Sequence, residues 1–169
     1  MLRRLIRGLT VCGCAMAAGC GASASGTGLT PDFADAARKA HSYQKSDLIP
    51  GIGTARFPVA YAASRARVKI VQSKVASEAD QGVWLLLTMV NVKSSELNGA
   101  REMAETMTLS PQTMRTMREA QEDVATERDT CLSEADGWLS GKSMLLASLK
   151  ERPCLQQAKL ALAVLSKKN

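Results

Sequence analysis

Residues 67–92, RVKIVQSKVASEADQGVWLLLTMVNV, decide the fold class of this chain. Their β-branched and aromatic side chains, with apolar residues alternating from Trp84 to Val92, would suit a β-hairpin. The flanking sequence favours helix instead, because it is rich in Ala and because aromatic residues make up only 4% of the 169-residue chain. We therefore predict an all-α fold, a small helical bundle of about five or six helices. The alternative is an α+β fold with a hairpin around 67–92.

Helical periodicity extends outward from this segment over most of the chain. The predicted helices cover about 31–44, 58–77, 83–107, 111–135 and 142–151, with a sixth opening at 153. Pro31 and Pro111 each follow a hydroxyl residue that suits an N-cap, whereas Asp80-Gln81-Gly82 is expected to end or turn the chain. The pair Asn98-Gly99 is a candidate break. The residues predicted to form the buried stripe of the second helix are Val59, Ala63, Ala66 and Ile70.

The first nineteen residues have the pattern of an export signal. Three arginines in the first eight residues precede an uncharged stretch of about half the length that a membrane-spanning helix requires. The stretch ends in Ala17-Ala18-Gly19-Cys20, which resembles the lipobox of bacterial lipoproteins, with Ala17 in the position where Leu is usual. The resemblance implies a diacylglyceryl group on the Cys20 sulfur, cleavage before Cys20, and acylation of the new amino group by a fatty acid such as palmitate.

Two other processing routes are open at the sequence level. Ala22-Ser23-Ala24 resembles an ordinary signal-peptidase site, and cleavage there would release a soluble periplasmic protein. Cys14 could end a second lipobox, although the apolar stretch before it is short. If Cys20 is the anchor, Gly21 follows it, and the absence of Asp at that position indicates the outer membrane, with the domain facing the periplasm.

The export signal divides the chain and changes its charge. We predict a signal peptide at 1–19, a lipidated Cys and flexible tether at 20–29, and a helical periplasmic domain at 30–169. The whole chain has a formal net charge of +6. Loss of the three leader arginines leaves 19 basic residues against 16 acidic ones, a net charge of +3. That balance on an exported protein does not indicate a nucleic-acid partner.

Cys131 and Cys154 are the two cysteines that lie beyond the anchor. Because the periplasm is oxidising, we predict that they form a structural disulfide. The bond would close a loop of 22 intervening residues and stabilise the fold by roughly 3 kcal/mol. The spacing does not suit a redox-active pair.

The chain offers little that would support catalysis, so we predict no enzymatic activity, no cofactor and no metal site. His41 is the only histidine, which is too few for a typical zinc site, and it is expected at the surface. No nucleophile elbow is present. Four methionines could bind Cu(I) in principle, but they are better explained as fillers of apolar helix faces. They are Met103, Met107, Met114 and Met117.

Charge is distributed unevenly along the chain, and this carries the functional prediction. Residues 56–93 are mostly basic and residues 102–136 mostly acidic. We predict a lipid-anchored, non-catalytic accessory or structural component that binds another envelope protein. The acidic candidates for contact are Glu119, Glu122 and Asp123 on the fourth predicted helix, and the basic second helix is the alternative surface. Trp84 and Trp138 are candidate anchors, although tryptophans in such positions more often belong to the core. The alternative is a binding protein for a small apolar ligand or lipid, with a cavity between helices.

Overall fold

The computed structural model describes residues 28–141, together with Cys154 and Gln156. Four α-helices follow one another in this part of the chain, and the described residues contain no strand. Helix α1 spans Pro31–Tyr43, α2 spans Phe57–Gln72, α3 spans Glu78–Thr106 and α4 spans Pro111–Leu139. The all-α prediction is therefore confirmed. The predicted helices at 142–151 and beyond 153 lie outside the described residues, except that Cys154 and Gln156 are helical.

Successive helices run in alternating directions, so α1 and α3 point one way and α2 and α4 point the other. At one end of the bundle, Thr30 contacts Asp80, where α1 and α3 both begin. At the level of the middle of α3, Gln44 and Ser64 both meet Asn91. Further along, the loop before α2 reaches Asn98 through the amide of Gly53. This up-and-down topology is the one that short connections between helices favour.

Asp80 joins the start of α1 to the start of α3, and it is completely buried. One carboxylate oxygen accepts the Thr30 amide at 3.0 Å, and the other accepts the Thr30 hydroxyl at 2.9 Å. The second oxygen also accepts the amides of Ala76 and Ser77 at 3.1 Å, while the Ser77 hydroxyl accepts the Asp80 amide. This reciprocal capping box begins a helix. The predicted helix end at Asp80-Gln81-Gly82 is therefore wrong.

Helix α3 also continues without a break through Asn98-Gly99. Asn98 keeps its side chain occupied, because its amide oxygen accepts the Gly53 amide at 2.8 Å and its nitrogen donates to Glu102. Gly99 faces open space, where a missing side chain costs only helix propensity. One uninterrupted helix of 29 residues results, about 43 Å long at 1.5 Å per residue.

The buried face of α2 differs from the predicted one. Val59 is 75% exposed and Ile70 is 55% exposed, so the predicted stripe faces outward. The face that packs on the core is offset from it, and one of its members is polar: Ser64 is buried because its hydroxyl donates to Asn91 at 2.6 Å. The residues of α2 that are buried are Phe57, Ala60, Ser64, Val68 and Val71.

A short π-helical segment, Gln44–Leu48, extends α1 and inserts a polar side chain into the core. The Gln44 side chain is fully buried and donates to the Leu87 carbonyl at 2.8 Å and to Asn91 at 3.0 Å. Asn91 therefore accepts hydrogen bonds from both α1's extension and α2. Buried polar groups of this kind require partners and so restrict how the three helices can pack.

Two apolar clusters lie along the bundle. The larger joins all four helices around side chains such as Phe33, Leu86 and Trp138. The smaller lies further along α3, where Leu48, Phe57 and Leu97 meet, and Val124 of α4 packs against it. Beyond the smaller cluster the core ends.

Candidate partner-binding surface

The C-terminal part of α3 and the N-terminal part of α4 project beyond the core as a pair of antiparallel helices. We call residues 99–127 the distal hairpin, and residues 28–98 with 128–141 the proximal bundle. Every residue of the distal hairpin is exposed or half-buried, whereas buried residues occur up to Asn98 on α3 and resume at Arg128 on α4. A projection of two paired helices with no buried residue contributes little to a core, but it offers a large surface.

The three predicted contact residues lie together on this hairpin. Glu119, Glu122 and Asp123 are on adjacent turns of α4, and all three are exposed. Glu119 has an ion pair with Arg115 one turn earlier, with 3.7 Å between Oε1 and Nε. An exposed pair of this geometry is worth little to stability, so these charges are free to serve recognition.

The methionines of the distal hairpin do not fill a core. Met103 and Met107 are 53% and 51% exposed, so the interpretation of these two as buried fillers is wrong. Met114 and Met117 on α4 are half-buried. Flexible thioether side chains at a surface suit contacts with a partner of variable shape.

The base of the distal hairpin is held by charges that bridge the two helices. The Lys93 ammonium of α3 lies 2.8 Å from a Glu127 carboxylate oxygen of α4 and 3.1 Å from Glu96. Burial alone would lower the pKa of Lys93, but its hydrogen bonds to the two carboxylates outweigh burial and raise it. The Arg101 guanidinium donates to the Ile52 carbonyl at 3.1 Å and so ties the hairpin to the loop before α2.

Gly28 and the loop of the distal hairpin lie at opposite ends of α3. Gly28 is the first described residue, and its carbonyl accepts the Ser77 hydroxyl at 3.4 Å, immediately before α3 begins. The loop of the distal hairpin follows Thr106, where α3 ends. The full length of α3, about 43 Å, therefore separates the two.

His41 is buried rather than exposed, which corrects the prediction of a surface position. It is 5% exposed, and its Nε2 lies 3.1 Å from the Leu132 carbonyl of α4. Its Nδ1 lies 4.0 Å from an Asp136 oxygen, which Lys45 also approaches. Burial lowers the pKa of His41, and the Leu132 carbonyl and Asp136 oppose that shift only in part. A neutral imidazole that donates to a carbonyl joins α1 to α4, which is a structural role.

The two cysteines beyond the predicted anchor are bonded in the structure. Cys131 and Cys154 form a disulfide with a Cα–Cα distance of 5.6 Å, which agrees with the predicted bridge. Both residues are buried within the larger apolar cluster. The bond therefore joins Cys154 to α4. Cys20 lies outside the described residues.

The tryptophans occupy different environments. Trp138 is 1% exposed and belongs to the larger cluster, so it is a core residue and not a contact anchor. Trp84 is half-buried and packs at the edge of the same cluster. Its other side borders a groove between α2 and α3.

Within residues 28–141, no group of three or more His, Cys, Asp and Glu side chains is arranged to hold a metal ion. None of the helices in this range combines the length and the apolar character that crossing a bilayer requires. No protein-family model, curated protein or solved structure proved similar to the chain.

Proposed function

We propose that this chain is a lipid-anchored, non-catalytic accessory protein of the bacterial cell envelope that presents the distal hairpin to another envelope protein. The observation that supports the proposal is the placement of Gly28, the first described residue, and the distal hairpin at opposite ends of α3. An anchor at Cys20 would hold the proximal bundle near the membrane by a tether of about ten residues. The hairpin would then reach a partner tens of ångströms away, and tethering would raise its effective concentration there.

Charge supports the hairpin as the contact surface. Glu119, Glu122 and Asp123 present three carboxylates on adjacent turns, and Met103 and Met107 expose apolar area on the neighbouring helix. Carboxylates beside exposed methionines suit a partner surface that is basic with an apolar centre. Such charges mainly steer association and select the partner.

The anchor is tested by mass spectrometry of the mature N-terminus. We expect a chain that begins at Cys20 and carries a diacylglyceryl group and an N-acyl group. Replacement of Cys20 by Ala should abolish the lipid mass and release the protein from the membrane fraction. An unmodified N-terminus at Ser25 would contradict the anchor, because cleavage would then follow Ala24.

The contact surface is tested by pull-down of the lipidated protein from solubilised envelopes. The test variant is Glu119→Lys/Glu122→Lys/Asp123→Lys. Its matched control is Asp32→Lys/Asp35→Lys/Asp47→Lys, which makes the same charge change at exposed positions of the proximal bundle. We expect the hairpin variant to lose a co-purified protein that the control retains. Equal recovery by both variants would show that these three carboxylates are not the contact surface.

A further inference from the structure

A groove of about 790 Å³ runs between α2 and α3 on the side of the proximal bundle. Its lining combines polar side chains with an apolar part, to which Val68 and Ala62 of α2 and Trp84 and Val92 of α3 contribute. Its volume lies within the range of about 300–1,000 Å³ that is typical of small-molecule sites. All of the residues that line it belong to the described part of the chain.

The charge around the groove has one sign. Arg65 and Lys69 lie one turn apart on its α2 side, and neither Asp nor Glu lines it. The chain contains no acid at all from residue 48 to residue 77. Arg65 extends over the Tyr61 ring, with 5.9 Å between the guanidinium carbon and the ring centroid. Because no carboxylate lines the groove, Arg65 and Lys69 are available to a ligand there. The groove therefore complements a negative charge.

The groove also has a polar group at its floor. Asn91 lines it and is 4% exposed. Its amide oxygen is occupied by Gln44 and Ser64, at 3.0 and 2.6 Å. Those two bonds fix the orientation of the amide, so Asn91 is a fixed polar group in the lining of the groove.

We propose that this groove binds a small amphiphilic anion, in which one acidic headgroup is joined to an apolar chain. The headgroup pairs with Arg65 and Lys69, and the chain lies along the apolar part of the lining beside Trp84. The site is independent of the distal hairpin, because no residue is common to the two.

The experiment titrates the full chain, held in phosphatidylcholine nanodiscs, with decanoate, and empty nanodiscs provide the blank. Isothermal titration calorimetry should show one site, and the fluorescence of Trp84 should change with the same stoichiometry. Arg65→Glu/Lys69→Glu should weaken decanoate binding at least tenfold. Both positions are exposed, so this variant should fold, which far-ultraviolet circular dichroism checks. The matched control is Arg115→Glu/Arg118→Glu, on exposed positions of α4, and it should bind as the unmodified chain does.

Two further probes separate charge from apolar character. Decanol has the same chain without the anion and should bind at least tenfold more weakly, and decyltrimethylammonium should not bind. Equal binding of decanol and decanoate would overturn the proposal, as would undiminished binding by the Arg65/Lys69 variant. The proposal would also be overturned if the protein did not bind decanoate but bound a glutamate-rich helical peptide through these two cations. The groove would then be a docking site for proteins.

Discussion

The proximal bundle and the distal hairpin share α3 and α4, but they are held together by different forces. In the proximal bundle, the two helices pack in apolar clusters with α1 and α2, and a buried carboxylate, a buried histidine and a disulfide cross-link the elements. In the distal hairpin the same helices pack mainly on each other, although Arg101 reaches the loop before α2 and Val124 packs against the smaller cluster, and no residue is buried. The buried contacts that stabilise the fold therefore lie mainly in the proximal bundle, where α1 and α3 begin.

The consequence for function follows from that division. Local stability is set by buried apolar contacts and protected hydrogen bonds, so the hairpin should open more readily than the bundle. Substitutions on the hairpin surface should therefore alter recognition at little cost in folding.

The largest contrast is expected between Leu86→Ala and Met103→Ala. Leu86 is completely buried in the larger cluster, and its truncation should lower the free energy of unfolding by about 3–4 kcal/mol through lost burial and a cavity. Met103 is more than half exposed, so its truncation should cost less than about 0.5 kcal/mol. Urea denaturation followed by circular dichroism measures both. Similar costs for the two variants would contradict the division.

The disulfide is expected to be next in magnitude. Cys131→Ala/Cys154→Ala should lower the free energy of unfolding by about 3 kcal/mol, because the unfolded chain regains the entropy of a loop of 22 residues. Reductant should lower the urea midpoint of the unmodified protein in the same way. The double variant is the control, since reductant should leave its midpoint unchanged. If reductant leaves the urea midpoint of the unmodified protein unchanged, the disulfide does not make this contribution to stability.

Asp80→Asn should lower the free energy of unfolding by about 2 kcal/mol. The new amide NH₂ would face the Thr30 hydroxyl and the amides of Ala76 and Ser77, which all donate to one carboxylate oxygen of Asp80. Asp32→Asn is the matched control. Asp32 is exposed in the first turn of α1, so its neutralisation removes only a favourable interaction with the helix dipole, worth a few tenths of a kcal/mol. Urea midpoints compare the two variants. Equal costs would show that the capping network does not stabilise the junction of α1 and α3.

Much of the fold could be predicted from local signals. Pro31 and Pro111 mark the starts of α1 and α4 in the structure, each after a hydroxyl residue at the N-cap. The 67–92 segment is helical except for the short connection between α2 and α3, as the alanine-rich flanks indicated. The start of α3 also has a local signal, since Ser77-x-x-Asp80 is the spacing of a capping box, but Asp80-Gln81-Gly82 has the composition of a turn as well.

The errors arose where polar side chains are buried through distant partners. Ser64 belongs to the buried face of α2 only because Asn91, 27 residues later, accepts its hydroxyl. His41 is buried because a carbonyl of α4, 91 residues away, accepts its imidazole N–H. Periodicity ranks residues by polarity and cannot include such partners, so it placed both outside the core. Residues 99–127 protrude because α1 and α2 do not extend alongside them. That difference in extent is likewise a property of the assembled bundle.

The smallest expected effect is a pH dependence at the contact between α1 and α4. Because burial lowers the pKa of His41 below 6.5, the folded protein binds fewer protons at this site than the unfolded chain does. The stabilisation by neutral His41 is therefore complete above the unfolded pKa and is lost as the pH falls below about 6.5 toward the lower folded value. A single group can contribute a slope of at most about 1.4 kcal/mol per pH unit.

His41→Gln retains a side-chain N–H that can donate to the Leu132 carbonyl but does not titrate. Urea midpoints from pH 8 to pH 5 should fall for the unmodified protein and fall less steeply for His41→Gln. Parallel curves would show that the contact is insensitive to the protonation of His41. A hairpin variant such as Met103→Ala should retain the full slope, because the titrating group lies in the proximal bundle.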